Sequence, residues 1–312
     1  MNKTFIIDGG AGRVIASIPA LEKYVLNHPD ENVTILVHGW SEVFLSNKLL
    51  QNITFNMNQK GVFDRYLKNS DSIVTPEPYK NIEYINQRCS LVEAFDYEIN
   101  GSLVSEKYAT LYLSQSEKLL GKKIIRDVKN LQKKEKTVVI QPFGSTITYE
   151  EIDGMNHIID PSGRSMNFYT YITIAEKLSK KYNVILFAEK KMHFLFDQYS
   201  FKPEGDLRVF MSIINEADYY IGCDSVGQHI ARGLDKKGTI LYGSTFPINT
   251  SYPDWFNIID RDKDTRVYSP LRLSHVDSEF ADRLNDECMM YPEKEVPEII
   301  QTIINNVEKV RK

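Results

Sequence analysis

The 312-residue chain has few cysteines and no long apolar run. Its three cysteines, Cys89, Cys223 and Cys288, are widely spaced, which argues against a disulfide framework or a CxxC zinc site and favours a reducing compartment. No stretch of about 18 apolar residues occurs, so no integral membrane segment is expected. The N-terminal apolar run is too short for a secretory signal. We therefore expect a cytoplasmic protein.

Two common nucleotide-binding signatures are also missing. No GxxxxGK[ST] motif occurs, which argues against a P-loop NTPase. The glycine loop Gly9–Arg13 stands where a Rossmann loop would, but it lacks the third glycine of GxGxxG, and no acidic residue ends the next predicted strand. The formal net charge of −4 provides no overall attraction to nucleic acid, although a local basic groove is compatible with it.

What the chain does contain is an alternation of short β-branched runs and helical patterns. The runs Thr4–Gly10 and Val33–Gly39 flank a helix predicted at Pro19–Pro29, with a proline in its first turn. This strand–helix–strand order predicts a parallel sheet with right-handed crossovers. The pattern then restarts, with strands predicted at Lys136–Thr146, Asn183–Glu189, Ala217–Cys223 and Gly238–Thr245 and a helix at Asn167–Tyr182.

Two further helical segments suggest the domain limits. The lysine-rich segment Leu119–Lys136 is predicted to be a surface helix and linker, and the C-terminal segment has an apolar helical face that must pack on something. We predict an α/β fold with two Rossmann-like doubly wound domains, residues 1–134 and 135–290, and a closing helix at 291–312. Because such sheets bind ligands beyond the carboxyl ends of their strands, the site is expected in a cleft between the domains.

The segment CDSVGQH, Cys223–His229, permits two chemistries. It resembles the nucleophile elbow GxSxG of an α/β hydrolase, for which His38–Trp40 would be the oxyanion loop. Ser225, Asp260 and His275 then follow the chain order of a hydrolase triad.

Alternatively, the same segment suits a diphosphate, because a strand end followed by a helix start offers free N–H groups and the positive end of a helix dipole. Residues Asp224–Gln228 fit that geometry, and His229 could add another donor. The loops Phe143–Thr146 and Gly243–Phe246 follow two neighbouring predicted strands, so three loops would converge on one edge. This convergence favours the anion-binding interpretation.

Four motifs in order then give a more specific indication. They are GGAGRVIASIPALEKY from Gly9, VVIQPFGST with GRSMNFYTYITIAEKL from Val138, DSVGQHIA from Asp224, and LYGSTFP from Leu241. Together they resemble glycosyltransferase family 9, whose best-known members are the ADP-heptose:lipopolysaccharide heptosyltransferases. The resemblance implies a GT-B fold, a nucleotide sugar held by the C-terminal domain, and no required metal or other cofactor.

The resemblance also implies a set of donor-binding residues. Glu189 resembles the acidic residue that holds the donor ribose. Arg164 resembles a basic residue beside the diphosphate, where an arginine would stabilise the charge that develops on the leaving group. The full set is Gly12, Ser145, Thr146, Arg164, Glu189, Asp224, Ser225, Val226, Gly227, Gln228, His229 and Thr245.

The chain departs from the family at its proposed catalytic base. The family has an aspartate after the glycine, whereas Arg13 follows Gly12 here, and a guanidinium stays protonated. We predict Asp8 as the substitute base, with Glu42 and His38 as further options. Arg13 is the second predicted catalytic residue, because it could bind an anionic acceptor or the donor phosphates.

A second departure lies in the family's DSG, which reads Asp224-Ser225-Val226 here, with the glycine one place later at Gly227. This shift changes which N–H groups are unhindered.

The expected function is transfer of a sugar from a nucleotide-diphosphate sugar to a hydroxyl of a saccharide or lipid-linked glycan, with inversion and without a metal. Three alternatives stay open: a DNA-modifying glycosyltransferase of the phage type that acts on a hydroxymethylated base, a non-catalytic nucleotide- or glycan-binding protein, and a hydrolase that uses Ser225. The DNA alternative requires a basic cleft. The residues that could line it are Arg13, Lys48, Lys60, Arg65, Lys68, Lys80 and Arg88.

Overall fold

The computed structural model describes residues 1–103, 108–144, 147–152, 155–160, 162–188, 199–261 and 289–310. The first half contains a four-stranded parallel sheet in the order β3-β2-β1-β4. Its strands are β1 (Asn2–Ile7), β2 (Asn32–Val37), β3 (Thr54–Asn56) and β4 (Ser72–Val74). The parallel pairing of β1 with β2 confirms the strand–helix–strand prediction.

The helices of the first half are α1 (Ala11–Asn27), α2 (Ile82–Ile85) and α3 (Leu91–Asn100). Short turns of 3-10 or π type occupy Ser41–Phe44, Phe63–Leu67 and Pro78–Lys80. A capping box between Ser90 and Glu93 starts α3.

The prediction for the start of α1 is wrong. The helix begins at Ala11, directly after the glycines, so that Pro19 lies inside it rather than in its first turn. Val14, Ile15 and Ile18, which precede or adjoin the proline, are fully buried on the helical face toward the core. Their packing offsets the hydrogen bond that a mid-helix proline cannot make.

The second half contains a five-stranded parallel sheet in the order β11-β10-β9-β5-β8. Its strands are β5 (Thr137–Gln141), β8 (Asn183–Leu186), β9 (Tyr219–Gly222), β10 (Gly238–Tyr242) and β11 (Asn257–Asp260). The segment before Arg164 forms an antiparallel hairpin of β6 (Thr148–Ile152) and β7 (Met155–Ile159). The helices are α4 (Gln115–Gln132), α5 (Phe168–Ser179), α6 (Leu207–Glu216), α7 (Val226–Gly233), α8 (Pro247–Thr250) and α9 (Val296–Lys309).

Helices cover both faces of this second sheet. Val138 and Ile140 of β5 join a core with α5 and α9, whereas Val139 between them joins a second core with α6 and α7 that continues into the first half. The α/β fold with doubly wound sheets is thereby confirmed. No helix within the described ranges has both the length and the apolar character needed to cross a bilayer.

The lysine-rich helix α4 packs on α6 of the second half. The approach is close at Gly121, where an added Cβ would collide with the carbonyl of Ser212. The side chain of Gln132 also exchanges two hydrogen bonds with the backbone of Val184 in β8. By its packing α4 therefore belongs with the second sheet, while the domain limit at residue 134 stays a prediction.

Candidate functional site

A cavity of about 570 Å³ lies between the two halves, where strands of both sheets end. The first half contributes the start of α1 and the turn after β2. The second half contributes the ends of β5 and β8 and the start of α7. The predicted site residues that border the cavity, with Glu42 among them as an alternative base, are Gly12, Arg13, Glu42, Arg164, Asp224, Ser225, Val226 and His229.

The remaining predicted residues fall into two groups. Asp8, Gly227, Gln228 and Thr245 are described but do not border this cavity. Ser145, Thr146 and Glu189 lie outside the described residues.

Ser225 is not placed as a nucleophile. Its backbone is extended, with φ −153° and ψ 178°, whereas a nucleophile elbow is a sharp, strained turn. Its Oγ accepts a hydrogen bond from Gln141 Nε2 at 3.1 Å. Asp260 ends β11, two strands away from β9, and His275 lies outside the described residues. The hydrolase prediction for Ser225 is therefore wrong.

Gln141, at the end of β5, holds the start of α7 in place. Its Oε1 accepts hydrogen bonds from the Tyr220 hydroxyl and from the Gly227 N–H, each at 2.8 Å. The Gly227 N–H is thus engaged by a side chain and not directed to a ligand. A Cβ at Gly227 would collide with both Gln141 and Tyr220, which explains the displaced glycine. Sequence reasoning missed Gln141, for which the available signal was an amide ending an otherwise apolar strand.

Asp224 is held on both of its oxygens. Gln228 Nε2 donates to Oδ1 at 2.9 Å, and the Thr245 hydroxyl donates to Oδ2 at 2.8 Å. Gln228 is fully buried, and its Nε2 also donates to the Tyr242 hydroxyl at 2.9 Å. Gln228 and Thr245 therefore position Asp224, which is the member of this group that borders the cavity.

His229 is buried against the start of α1. Its Nδ1 lies 2.7 Å from the Tyr252 hydroxyl. Burial lowers the pKa of His229 to about 4, which the nearby Asp224 opposes and Arg164 reinforces. The imidazole is consequently neutral at pH 7. Gly12 makes room for it, because a Cβ there would lie 2.7 Å from His229 Cδ2.

Arg164 brings a positive charge to the same cavity. Its backbone N–H donates to the Asp160 carboxylate at 3.2 Å, and its Nε donates to Ser162 Oγ at 3.1 Å. Among the described residues, the two terminal guanidinium nitrogens have no hydrogen bond or ion pair. They are therefore free to bind an anion in the cavity.

Arg13, in contrast, is compensated within the first half. Its Nη2 lies 2.9 Å from Asp8 Oδ1 and 3.4 Å from Glu77 Oε2, and it donates to the Pro76 carbonyl at 3.1 Å. The contact with Asp8 is an ion pair without hydrogen-bond alignment, since Oδ1 accepts no well-directed N–H. The guanidinium also lies 5.0 Å from the Tyr79 ring centre. Asp8 and Arg13 thus engage each other instead of presenting a free base and a free cation.

Among the described residues, the basic side chains considered for the DNA alternative do not form a cleft at this cavity. Of the seven basic residues considered for it, Arg13 borders the cavity and is paired, while Lys48, Lys60, Arg65, Lys68, Lys80 and Arg88 do not border it. Within the described part of the chain, no group of three or more His, Cys, Asp or Glu side chains is arranged to hold a metal ion.

Neither the scan against family models nor the search of curated proteins found a match. Solved structures do match. A family 9 glycosyltransferase from Veillonella parvula is 11% identical, covers 98% of this chain and 97% of its own, and has a TM-score of 0.65. The ADP-heptose LPS heptosyltransferase II of E. coli is 13% identical, with 98% of both chains covered and a TM-score of 0.60.

A third structure is TibC of enterotoxigenic E. coli, described as an iron-containing dodecameric glycosyltransferase. It is 12% identical, with 99% of this chain and 78% of TibC covered and a TM-score of 0.62. At such identities the likeness concerns the fold. Together with the two parallel sheets that meet at one cavity, it shows that this chain has the two-domain GT-B fold of the family 9, heptosyltransferase-like glycosyltransferases.

Proposed function

We propose that the protein is a glycosyltransferase that moves a sugar from a nucleotide-diphosphate sugar to an acceptor hydroxyl. The observation that carries this proposal is that Arg164, which precedes α5, and His229, in the first turn of α7, border the same cavity. Arg164 is a cation without a charged partner among the described residues, and His229 is a neutral ring whose pKa is lowered to about 4. A diphosphate needs this combination of positive charge and neutral donors.

The second half would hold the donor. The diphosphate lies at the start of α7, near Ser225 and Val226, where the helix dipole adds positive potential. Arg164 then stabilises the negative charge that the diphosphate gains as the glycosidic bond breaks. Because Arg164 and the helix start supply this charge, we propose transfer without a metal, and with inversion as the family resemblance implies.

The neighbours in structure support the donor class that we propose. TibC binds ADP-D-β-D-heptose, and the E. coli heptosyltransferase WaaC binds ADP. We extend this to the present chain as a nucleoside-diphosphate sugar of the same kind, with a saccharide or lipid-linked glycan as acceptor. A non-catalytic binding protein is the second candidate, because Arg13, paired with Asp8, stands where the family has its base.

Calorimetry with ADP, UDP, GDP, CDP and ADP-heptose tests the proposal. We expect saturable binding of at least one of them, and a loss of about 10-fold to 100-fold in affinity for Arg164→Gln, because one charge-assisted hydrogen-bonding group is removed. Arg126→Gln is the matched control, since Arg126 lies exposed on α4. If the wild-type protein binds none of these ligands, the proposed function is wrong. Binding without release of nucleotide in the presence of any acceptor would favour the non-catalytic candidate.

A further inference from the structure

We propose, on the basis of the proposed function, that Trp40 and Glu42 form the acceptor subsite. Both belong to the turn that follows β2, and both border the cavity from the side of the first half. In this assignment the indole of Trp40 stacks on the apolar face of an acceptor sugar ring, and Glu42 accepts the proton of the attacking hydroxyl.

The backbone at Trp40 is unusual for a large side chain. Gly39 has φ 83°, and Trp40 follows with φ 60° and ψ 21°, so two successive residues adopt the left-handed region. A bulky residue with positive φ is uncommon and is typical of functional loops. The turn directs the chain so that Trp40 lies at the rim of the cavity.

The indole of Trp40 is 40% exposed and makes no ring contact among the described residues. A large apolar ring that stays partly open at a cavity can stack on a ligand with a matching apolar face. The C–H face of a pyranose provides one, while its hydroxyls stay in contact with polar groups.

Glu42 is a carboxylate that borders this cavity and whose oxygens stay available among the described residues. Among the described residues its carboxylate makes no hydrogen bond or ion pair, whereas Asp224 is held by two donors and Asp206 caps α6. Asp8, outside the cavity, is paired with Arg13. An ionised carboxylate without donors is an acceptor for a hydroxyl proton.

The turn itself is held firmly, as a catalytic position requires. Val43 and Phe44 are buried directly after Glu42. The carbonyl of Glu42 also accepts a hydrogen bond at 3.4 Å from Arg208, which belongs to α6 of the second half. This hydrogen bond helps to fix the position of the turn relative to the second half, which would hold the donor.

The charges at the turn favour an uncharged acceptor over nucleic acid. Glu42 is negative, and Arg13, the nearest basic residue of the first half that borders the cavity, is compensated by Asp8 and Glu77. A polyanion would be repelled there, whereas a neutral sugar would not.

The proposed transfer forms one bond, breaks one bond and moves one proton. The acceptor oxygen forms a bond to the anomeric carbon of the donor sugar as the bond from that carbon to the diphosphate oxygen breaks. The electron pair of the broken bond leaves with the diphosphate, and the proton of the acceptor hydroxyl passes to Glu42.

The experiment measures nucleotide release from ADP-heptose with methyl hexosides and methyl heptosides as acceptor probes, and donor affinity by calorimetry. For Glu42→Gln we expect a fall in kcat of about 10²-fold to 10⁴-fold with unchanged donor affinity. For Trp40→Leu we expect the KM of the acceptor to rise about tenfold, with Trp40→Phe recovering most of it.

Matched controls are Glu298→Gln, on the exposed side of α9, and Phe63→Leu, an exposed ring distant from the cavity lining. Unchanged donor affinity in the variants shows that they are folded. In addition, Trp255→Phe leaves Trp40 as the single tryptophan of a chain that has two, so the acceptor probe should change its fluorescence.

The outcomes separate the two proposals. If no nucleotide or nucleotide sugar binds, the proposed function fails. If the donor binds but no methyl glycoside accepts the sugar, the inference of a sugar acceptor is overturned. If transfer occurs and Glu42→Gln retains it while Asp8→Asn abolishes it, the assignment of Glu42 is overturned.

Discussion

The loops after β1 and β9 have the same strand–loop–helix geometry, but they differ in how their charged side chains are paired. Each leads from the carboxyl end of a parallel strand into a helix, and Gly12 in the first turn of α1 lies against His229 in the first turn of α7. In the first loop the charged groups compensate one another, because Arg13 is paired with Asp8 and Glu77. The backbone of this loop has the form of an anion-binding site, but its positive side chain is already paired.

The second loop is held by neutral groups. The amides of Gln141 and Gln228 and the hydroxyl of Thr245 make its internal hydrogen bonds. Arg164 and His229 are therefore not needed to hold the loop, and both border the cavity. Of these two loops, the second is the one whose hydrogen bonds come from neutral partners, and it is the loop that we propose to hold the donor.

The two loops face each other only if the two halves of the molecule are held together, and Arg208 makes hydrogen bonds that join the halves. It is buried, bonds both oxygens of Glu117 at 2.6 and 2.7 Å, and donates to the carbonyls of Tyr112 and Glu42. For Arg208→Leu we expect the free energy of unfolding to fall by about 2–5 kcal/mol, because Glu117 and two carbonyls lose their donor. Urea denaturation measures it, with the exposed Arg126→Leu as control.

The same variant has a distinct pH dependence. Hydrogen bonds from Arg208 are the largest cause that lowers the pKa of Glu117 from 4.5 to about 2, with burial opposing them. The contribution of a carboxyl with a depressed folded-state pKa is complete above its unfolded pKa and is lost as the pH falls toward the folded one. The difference between wild type and Arg208→Leu should therefore be constant near pH 6 and shrink between about 4.5 and 2. A difference that stays constant to pH 2 would show that Glu117 is not the partner.

The contact between the two loops can be tested at Gly12. In Gly12→Ala the new Cβ would lie 2.7 Å from His229 Cδ2, so α1 and α7 must separate. We expect a loss of about 1–3 kcal/mol in the free energy of unfolding, as for overpacked cores, and weaker donor binding. Gly10→Ala is a sharp control, because a Cβ at Gly10 meets nothing within 4 Å, and we expect it to stay within about 0.5 kcal/mol. Equal effects of the two substitutions would contradict the close approach.

The fold was largely predictable, since apolar runs of strand length and helical spacing alternate along the chain. The start of α1 was not, because Pro19 was interpreted as a first-turn residue although Val14, Ile15 and Ile18 already have helical spacing. Likewise, the sequence predicts a surface helix and linker at Leu119–Lys136, and only the packing of α4 on α6 associates that helix with the second sheet. Packing partners distant in sequence decide such cases, and the local pattern does not contain them.

The site shows the same limit. Motif order placed Arg164 and His229 at one cavity, where the structure also brings them. The positioning of Gly227 by Gln141 joins residues 86 positions apart, so no local spacing could indicate it. Similarly, the pairing of Arg13 with Asp8 and Glu77 depends on β1 lying next to β4, and it decides that the Asp8 carboxylate is engaged.

The smallest expected effect concerns the hydrogen bond between Tyr252 and His229. Among the described residues the Tyr252 hydroxyl has no other acceptor. We therefore expect it to donate to Nδ1 and to leave the ring proton on Nε2, which lies on the side of Gly12. Tyr252→Phe should lower the free energy of unfolding by about 0.5–1.5 kcal/mol. The pKa of His229 should stay below its ordinary value of 6.5, because burial is the main cause of its shift. Nitrogen-15 NMR of the ring distinguishes the tautomers: we expect protonated Nε2 in the wild type and a mixture in Tyr252→Phe. A wild-type ring protonated on Nδ1 would mean that Nε2 accepts a hydrogen bond rather than donating one. His229 could then not act as the neutral donor that distinguishes the second loop from the first.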